Sequence, residues 1–191
     1  MSLPESVTDP LDRDLIAALS EGGGAARHAW SVLVPRHSPR MYAVARSFAV
    51  DAATAEDLVQ TAWLRLLSRA DQLRDPQAVG PWLCMIVRNE ARRLTTRRRE
   101  IPAEAPIEHR PALTDAPDAR LLRVERDRAV RLAFSRLGPE CRQLLQLLLA
   151  DPPLSYDEIA AVLDRPRGSL GPTRRRCLQH LREQLPPGYE P

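Results

Sequence analysis

The stretch Leu154–Arg182, LSYDEIAAVLDRPRGSLGPTRRRCLQHLR, constrains this chain most, because it reads as two short helices joined by a tight turn. Ser155 and Glu158 have the spacing of a capping box, in which each side chain satisfies an unpaired backbone donor at a helix start. Ile159, Ala160, Val162 and Leu163 then supply an apolar face. Pro166 cannot continue that helix, Gly168 offers a positive φ for the turn, and Ser169 is placed to cap a second helix with Pro172 in its first turn.

The second helix is two-sided. At helical spacing Leu170, Cys177, Leu181 and Leu185 share one face, while Arg175, Arg176 and Gln179 point away from it with Arg182 beside them. An isolated run of arginines is ordinarily a solvated helix end. Joined to a capped first helix, a tight turn and an apolar inner face, it reads as a helix-turn-helix, whose outer face meets phosphates and base edges in a major groove.

Composition bounds the remainder. The 191 residues suffice for one or two small domains, and 43% hydrophobic with 4% aromatic residues suits helices packed on Leu, Val and Ala. All 28 basic residues are arginine, and although the net charge is only +3, they concentrate near 88–99 and 165–182. That distribution points to a nucleic-acid partner. Cys84, Cys141 and Cys177 are far apart, odd in number and without metal-ligand spacing, so they read as reduced core residues of a cytoplasmic protein. The histidines are scattered; no metal and no cofactor is expected. Met1–Asp14 carries acids and prolines where a secretory apolar region would lie, and no run approaches a membrane span, so no membrane insertion is expected.

In chain order, Asp12–Leu19 is a short helical pattern broken at Glu21–Gly24. Ala25–Val50 carries a second helical region that Pro35 and Pro39 are expected to kink or divide. Thr54 and Asp57 have the spacing of a capped start, after which Leu58, Val59, Ala62, Trp63, Leu66 and Leu67 form one apolar face. Asp57, Gln60, Thr61 and Leu64 fall together on the other side, a mixed patch fit for a protein contact or for plain solvent. Leu73–Pro81 reads as a loop or short broken helix.

A long helix follows from Trp82. Trp82, Leu83, Ile86 and Leu94 lie on its buried side, whereas Arg88, Arg92, Thr95 and Arg99 form a ridge on the opposite side. Six arginines between residues 88 and 99 face one acid, Glu90, and repel one another unless an anion lies alongside. Residues 101–119 contain four prolines and little periodicity, the composition of a linker. Beyond it, Leu121–Leu137 and Glu140–Ala150 read as two helices flanking Gly138-Pro139. The fold class expected is therefore all-α, with two small helical domains joined by a Pro-rich linker: residues 11–100, a linker at 101–119, and residues 120–185 containing the helix-turn-helix.

Three segments in this order resemble an extracytoplasmic-function (ECF) sigma factor of the sigma-70 family. AEDLVQTAWLRL at Ala55–Leu66 is similar to that family's polymerase-gripping helix, WLCMIVRNEARRL at Trp82–Leu94 to its promoter-melting segment, and RLGPECRQLLQLLLADPPLSYDEIAAVLDRPRGSL to its C-terminal domain. The resemblance implies a region 2 domain and a region 4 domain that bind core RNA polymerase, on the clamp of its largest subunits, and direct initiation at promoter DNA. It assigns Asp57, Gln60, Thr61 and Leu64 to the polymerase, Arg88, Asn89, Arg92, Thr95 and Arg99 to the −10 element, and Ser169, Thr173, Arg175, Arg176 and Gln179 to the −35 element. It also makes Leu73–Pro81 a candidate pocket for a flipped base, and an anti-sigma factor a further partner. Gly168-Ser169-Leu170 replaces the family's usual Gly-Thr-Val, which shifts base reading toward Arg175, Arg176 and Gln179. The rival readings are a free-standing helix-turn-helix regulator, acting without polymerase, and an interaction module that no longer reads DNA. An enzyme is disfavoured, because no catalytic constellation stands out.

Overall fold

A computed structural model describes residues 10–70, 73–98 and 117–186. Among these, all regular structure is helical: α1 (Asp12–Glu21), α2 (Gly23–Arg46), α3 (Ala52–Arg69), a 3-10 turn (Pro76–Ala78), α4 (Val79–Arg98), α5 (Pro117–Ser135), α6 (Pro139–Leu148), α7 (Tyr156–Leu163) and α8 (Arg167–Glu183). The expected linker lies mostly outside the described residues, and residues 117–119, assigned to it, open α5.

In the N-terminal half α2 is the centre, packed by α1, α3 and α4. Gly22 and Gly23, at φ 75 and 59, separate α1 from α2 with backbone angles that other residues adopt only at a cost. Of the two outcomes expected at Pro35 and Pro39, division does not occur, since α2 runs unbroken from Gly23 to Arg46. Both lie on its exposed side, as do Ser31 and Pro35 four residues before them. The carbonyls deprived of a donor are therefore on the wet face, where water replaces the missing N–H. Leu33, Met41 and Val44 occupy the opposite face, fully buried with Leu58, Leu66, Leu83 and Val87 from α3 and α4.

Two local expectations shift. The cap of α3 is Asp51, whose carboxylate accepts from the Thr54 backbone N–H at 2.7 Å, so Thr54 is inside the helix rather than at its start. Gly80 belongs to α4, and a Cβ there would lie 2.9 Å from His37 Nδ1. His37 is buried, with its Nε2 3.1 Å from Asp12, which also binds Arg36 at 2.6 Å. A glycine is thus required where α4 crosses α2.

The C-terminal half packs α6, α7 and α8 around Leu144, Leu147, Ile159 and Leu170. The Ser155–Glu158 capping box forms as the sequence predicts, with both reciprocal bonds present. The turn differs. Asp164, not Gly168, takes the left-handed conformation (φ 59), and α8 starts at Arg167 with Pro166 before it. Ser169 is consequently within α8, its hydroxyl donating to Pro166 O at 2.7 Å, and Pro172 falls in the second turn. Cys141 and Cys177 form a disulfide between α6 and α8, which corrects the expectation of reduced thiols, while Cys84 is free and buried.

The two halves touch. Contacts of α4 with α7 and of α2 with α6 join their cores into one continuous apolar cluster.

Candidate nucleic-acid interface

On α8 the outward face is cationic. Arg174, Arg175, Arg176, Gln179 and Arg182 are exposed, opposite the buried Leu170, Thr173 and Cys177. Tyr156, Gly171, Arg174, Arg175, Leu178 and Gln179 edge a shallow hollow of about 530 Å³, to which Arg182 also contributes. Arg174, passed over in the sequence reading, donates to the Tyr156 hydroxyl at 3.3 Å across the two helices. Two predicted contacts fall away from this face. Thr173 is buried, its hydroxyl donating to Ser169 O at 2.7 Å, and the Ser169 hydroxyl is spent on Pro166. Of the predicted set, Arg175, Arg176 and Gln179 remain available, Gln179 donating to Glu183 at 3.1 Å.

The ridge on α4 is less open than its periodicity suggests. Arg88 is buried rather than exposed: its Nε donates to Val162 O at 2.9 Å, and Nη2 lies 3.1 Å from Asp164. Arg92, itself exposed, reaches the same carboxylate at 3.6 Å. The anion that the crowded arginines require is therefore supplied from within the chain, by the turn that follows α7. Arg88 is a side chain with one end on each half.

Asn89 and Arg97 are exposed, and the Thr95 hydroxyl is occupied by Ala91 O and Arg92 O at 3.0 and 3.1 Å. Arg99 lies outside the described residues. Glu90 is the hub of the remaining charge. Burial pushes its carboxyl upward, but hydrogen bonding and charge from Arg65, joined by Arg93, outweigh that and hold it below the usual glutamate range. It thereby ties α4 to α3.

A third surface surrounds α3. Gln60 and Leu64 line an open groove of about 1160 Å³ with Trp30, Trp63, Leu67 and Leu149. Leu64, Leu67 and Leu149 are 59, 62 and 80% exposed, an apolar concentration that solvent alone does not favour. The groove wall is firm: Trp30 and Trp63 meet edge to face with centroids 5.5 Å apart, and Trp63 Nε1 donates to Ser38 Oγ at 3.0 Å. Asp57 is exposed and Thr61 half-buried, the Thr61 hydroxyl donating to Asp57 O at 2.8 Å; neither lines the groove. Leu67, assigned to the core from its spacing, is instead the most exposed leucine of α3, and Leu149, from the other half, gave no sequence signal beyond being apolar.

The class that these features define is an all-helical protein with an arginine-faced helix-turn-helix in its C-terminal half and an open apolar groove beside α3. Comparison with known proteins narrows it. Residues 33–101 match the Sigma-70 region 2 family. The chain is similar to the probable RNA polymerase sigma factor RfaY of Xanthomonas campestris pv. campestris, with 31% identity over 144 residues, 73% of this chain and 36% of that protein. It is also similar to the ECF RNA polymerase sigma factor SigE of Mycolicibacterium smegmatis, with 29% identity over 184 residues, 93% of this chain and 70% of that one. The chain thus spans about a third of the first relative's length and over two thirds of the second's. Its fold is similar to that of the sigma factor RpoE of Bartonella quintana, solved in complex with the anti-sigma factor NepR, with TM-score 0.57, 22% identity, and coverage of 81% of this chain and 95% of that one. The chain thus carries a sigma-70 region 2 match over residues 33–101 and is similar, beyond that segment, to RNA polymerase sigma factors that include an ECF member.

Proposed function

We propose that this chain is a sigma factor: it binds core RNA polymerase and directs initiation at promoters bearing −10 and −35 elements. Residues 11–100 act as the region 2 domain, 101–119 as the connection, and 120–185 as the region 4 domain. The observation that carries the reading is the presence, on one chain, of a region 2 match over 33–101 and a capped helix-turn-helix whose outward face is arginine.

In this mechanism no bond is made or broken by the chain, so it is not an enzyme. Gln60 and Leu64, extended by Leu67 and Trp63, take an apolar element of the polymerase; Asp57 and Thr61 flank that contact. Arg175 and Gln179 read base edges in the major groove at −35, while Arg174, Arg176 and Arg182 neutralise phosphates. Asn89, Arg92 and Arg97 hold the −10 backbone, with Arg88 and Arg99 completing that set once Arg88 leaves Val162. Each DNA contact is weak alone, and anchoring both to polymerase raises their effective concentration until the pair is selective. The segment Leu73–Pro81, which contains the 3-10 turn Pro76–Ala78, is assigned to the flipped base. The working compartment is the cytoplasm, where RNA polymerase and promoter DNA meet. An anti-sigma factor that covers the α3 groove would exclude polymerase.

The test is reconstitution of the purified chain with bacterial core RNA polymerase, scored for co-elution and for initiation on a pool of promoter fragments. A one-to-one complex with promoter-specific initiation, lost on replacing Arg92, Arg175 and Arg176, is expected. Specific duplex binding by the chain alone, without affinity for core, would establish a free-standing regulator instead.

A further inference from the structure

The covalent link between α6 and α8 lies in the part of the molecule that would read the −35 element. Cys177 is at the middle of α8, between Arg176 and Gln179, and is 1% exposed on the helix's inner side. Cys141 is the third residue of α6 and is partly exposed. Their Cα atoms are 5.3 Å apart, within the range a disulfide spans without moving the backbone. Cys177 is buried in the same apolar cluster as Leu144, Leu147 and Leu170, and Cys141 packs against that cluster from its edge.

We propose that Cys141 and Cys177 form a reversible thiol–disulfide site, oxidised by hydrogen peroxide and reduced by a dithiol, that sets how firmly α8 is held for duplex binding. Disulfides that persist belong to oxidising compartments, whereas in the cytoplasm they are mostly transient and responsive. The consequence for DNA rests on the sigma-factor reading; the thiol chemistry does not.

The two sulfurs have different parts. Cys141 is the one solvent can reach, in a helix turn whose unpaired backbone N–H groups favour negative charge. Its thiolate attacks peroxide, the O–O bond breaks, and a sulfenic acid and hydroxide form. The Cys177 sulfur then displaces the sulfenic oxygen, giving the S–S bond; its thiol proton and the proton first lost by Cys141 leave with the two oxygens as two waters. Two electrons pass from the two sulfurs to peroxide. A dithiol reverses the change by exchange and is itself left as a disulfide.

Cys84 is the internal control. It is buried on α4, and burial pushes its thiol up to about 12, with Glu158 of α7 adding to the rise and Arg40 of α2 opposing it. Such a thiol does not form the nucleophilic thiolate at neutral pH.

The experiment uses the full chain, reduced with dithiothreitol and then given one equivalent of hydrogen peroxide. Alkylation and peptide mass mapping should show loss of two thiols as a Cys141–Cys177 link, retention of Cys84, and full reversal by dithiothreitol. Promoter duplex binding in the presence of core polymerase should be tighter for the oxidised chain by about threefold or more, because a restrained α8 loses less freedom on binding. Cys141→Ser should abolish the response; wild type, compared in its two states, needs no variant and covers the case in which Cys177→Ala does not fold. Three thiols retained after peroxide, oxidation at Cys84, intermolecular dimers in place of the internal link, or equal duplex affinity in both states would overturn the proposal. If the chain binds no polymerase in either state, the functional reading fails, and the thiol mapping alone decides the site.

Discussion

Arg88 offers a quantitative test of how the two halves associate. Its Nε–H bond to Val162 O, 2.9 Å and buried, is a hydrogen bond from a charged donor, a kind that contributes about 1.5–3 kcal/mol. Its ion pair with Asp164 is different, because that carboxylate is 74% exposed and screened; such pairs contribute about 0–1 kcal/mol. Arg88→Ala removes both, so the closed-to-open ratio should fall by about thirtyfold for a loss of about 2 kcal/mol. Asp164→Asn tolerates the left-handed backbone and removes only the charge, so its effect should stay within about fivefold. Small-angle scattering would follow the radius of gyration, and amide exchange would follow α7. Arg88→Ala should expand the free chain and speed exchange in α7, Asp164→Asn should do so slightly, and high salt should reproduce only the smaller effect. An Arg88→Ala chain with unchanged dimensions and unchanged α7 exchange would refute the argument that this side chain holds the halves together.

Other perturbations follow from the same geometry. Replacing both Leu64 and Leu67 with Asp should abolish co-elution with core polymerase while leaving the thermal midpoint almost unmoved, since both side chains are exposed; an equally large loss of stability would contradict their placement. Gly80→Ala drives a methyl onto His37 and should cost about 1–3 kcal/mol in denaturant unfolding. Glu90 is held below its usual range, so its contribution is present above the unfolded-state value and is lost as pH falls through the folded one. Glu90→Gln should therefore flatten the acid limb of the stability curve, and an unchanged limb would count against the Arg65 contact. Breaking the disulfide with Cys141→Ser frees a loop with a sequence separation of 36 and should lower stability by about 4 kcal/mol in a chain-entropy account, read by calorimetry under oxidising conditions.

The legible parts of this molecule are those decided within a few residues. The capping box at Ser155 and Glu158 and the two-sidedness of α8 need only a helical period, and both appear as read. Local rules failed where two candidates compete over one turn: Asp51 caps α3 ahead of Thr54, and Asp164 takes the left-handed angle that Gly168 could have taken. Thr173 faces inward because a threonine hydroxyl can satisfy itself on the preceding turn, which makes a polar residue admissible in a core. Arg88 and the Cys141–Cys177 pair were illegible for another reason. Their partners lie 74 and 36 residues away, and no spacing rule reaches across helices whose packing is unknown.

The α3 groove has a property that follows from who builds it. Gln60, Leu64 and Leu67 come from one half, while Leu149 and Asp151 come from the other. A ligand broad enough to rest on both walls gains contact only when the halves are together, and by linkage it holds them so. A ligand that needs the α3 leucines alone is indifferent to that equilibrium. The groove therefore sorts its occupants by width: a wide one acts as a brace that keeps Arg88 hidden, and a narrow one leaves the arginine free to move.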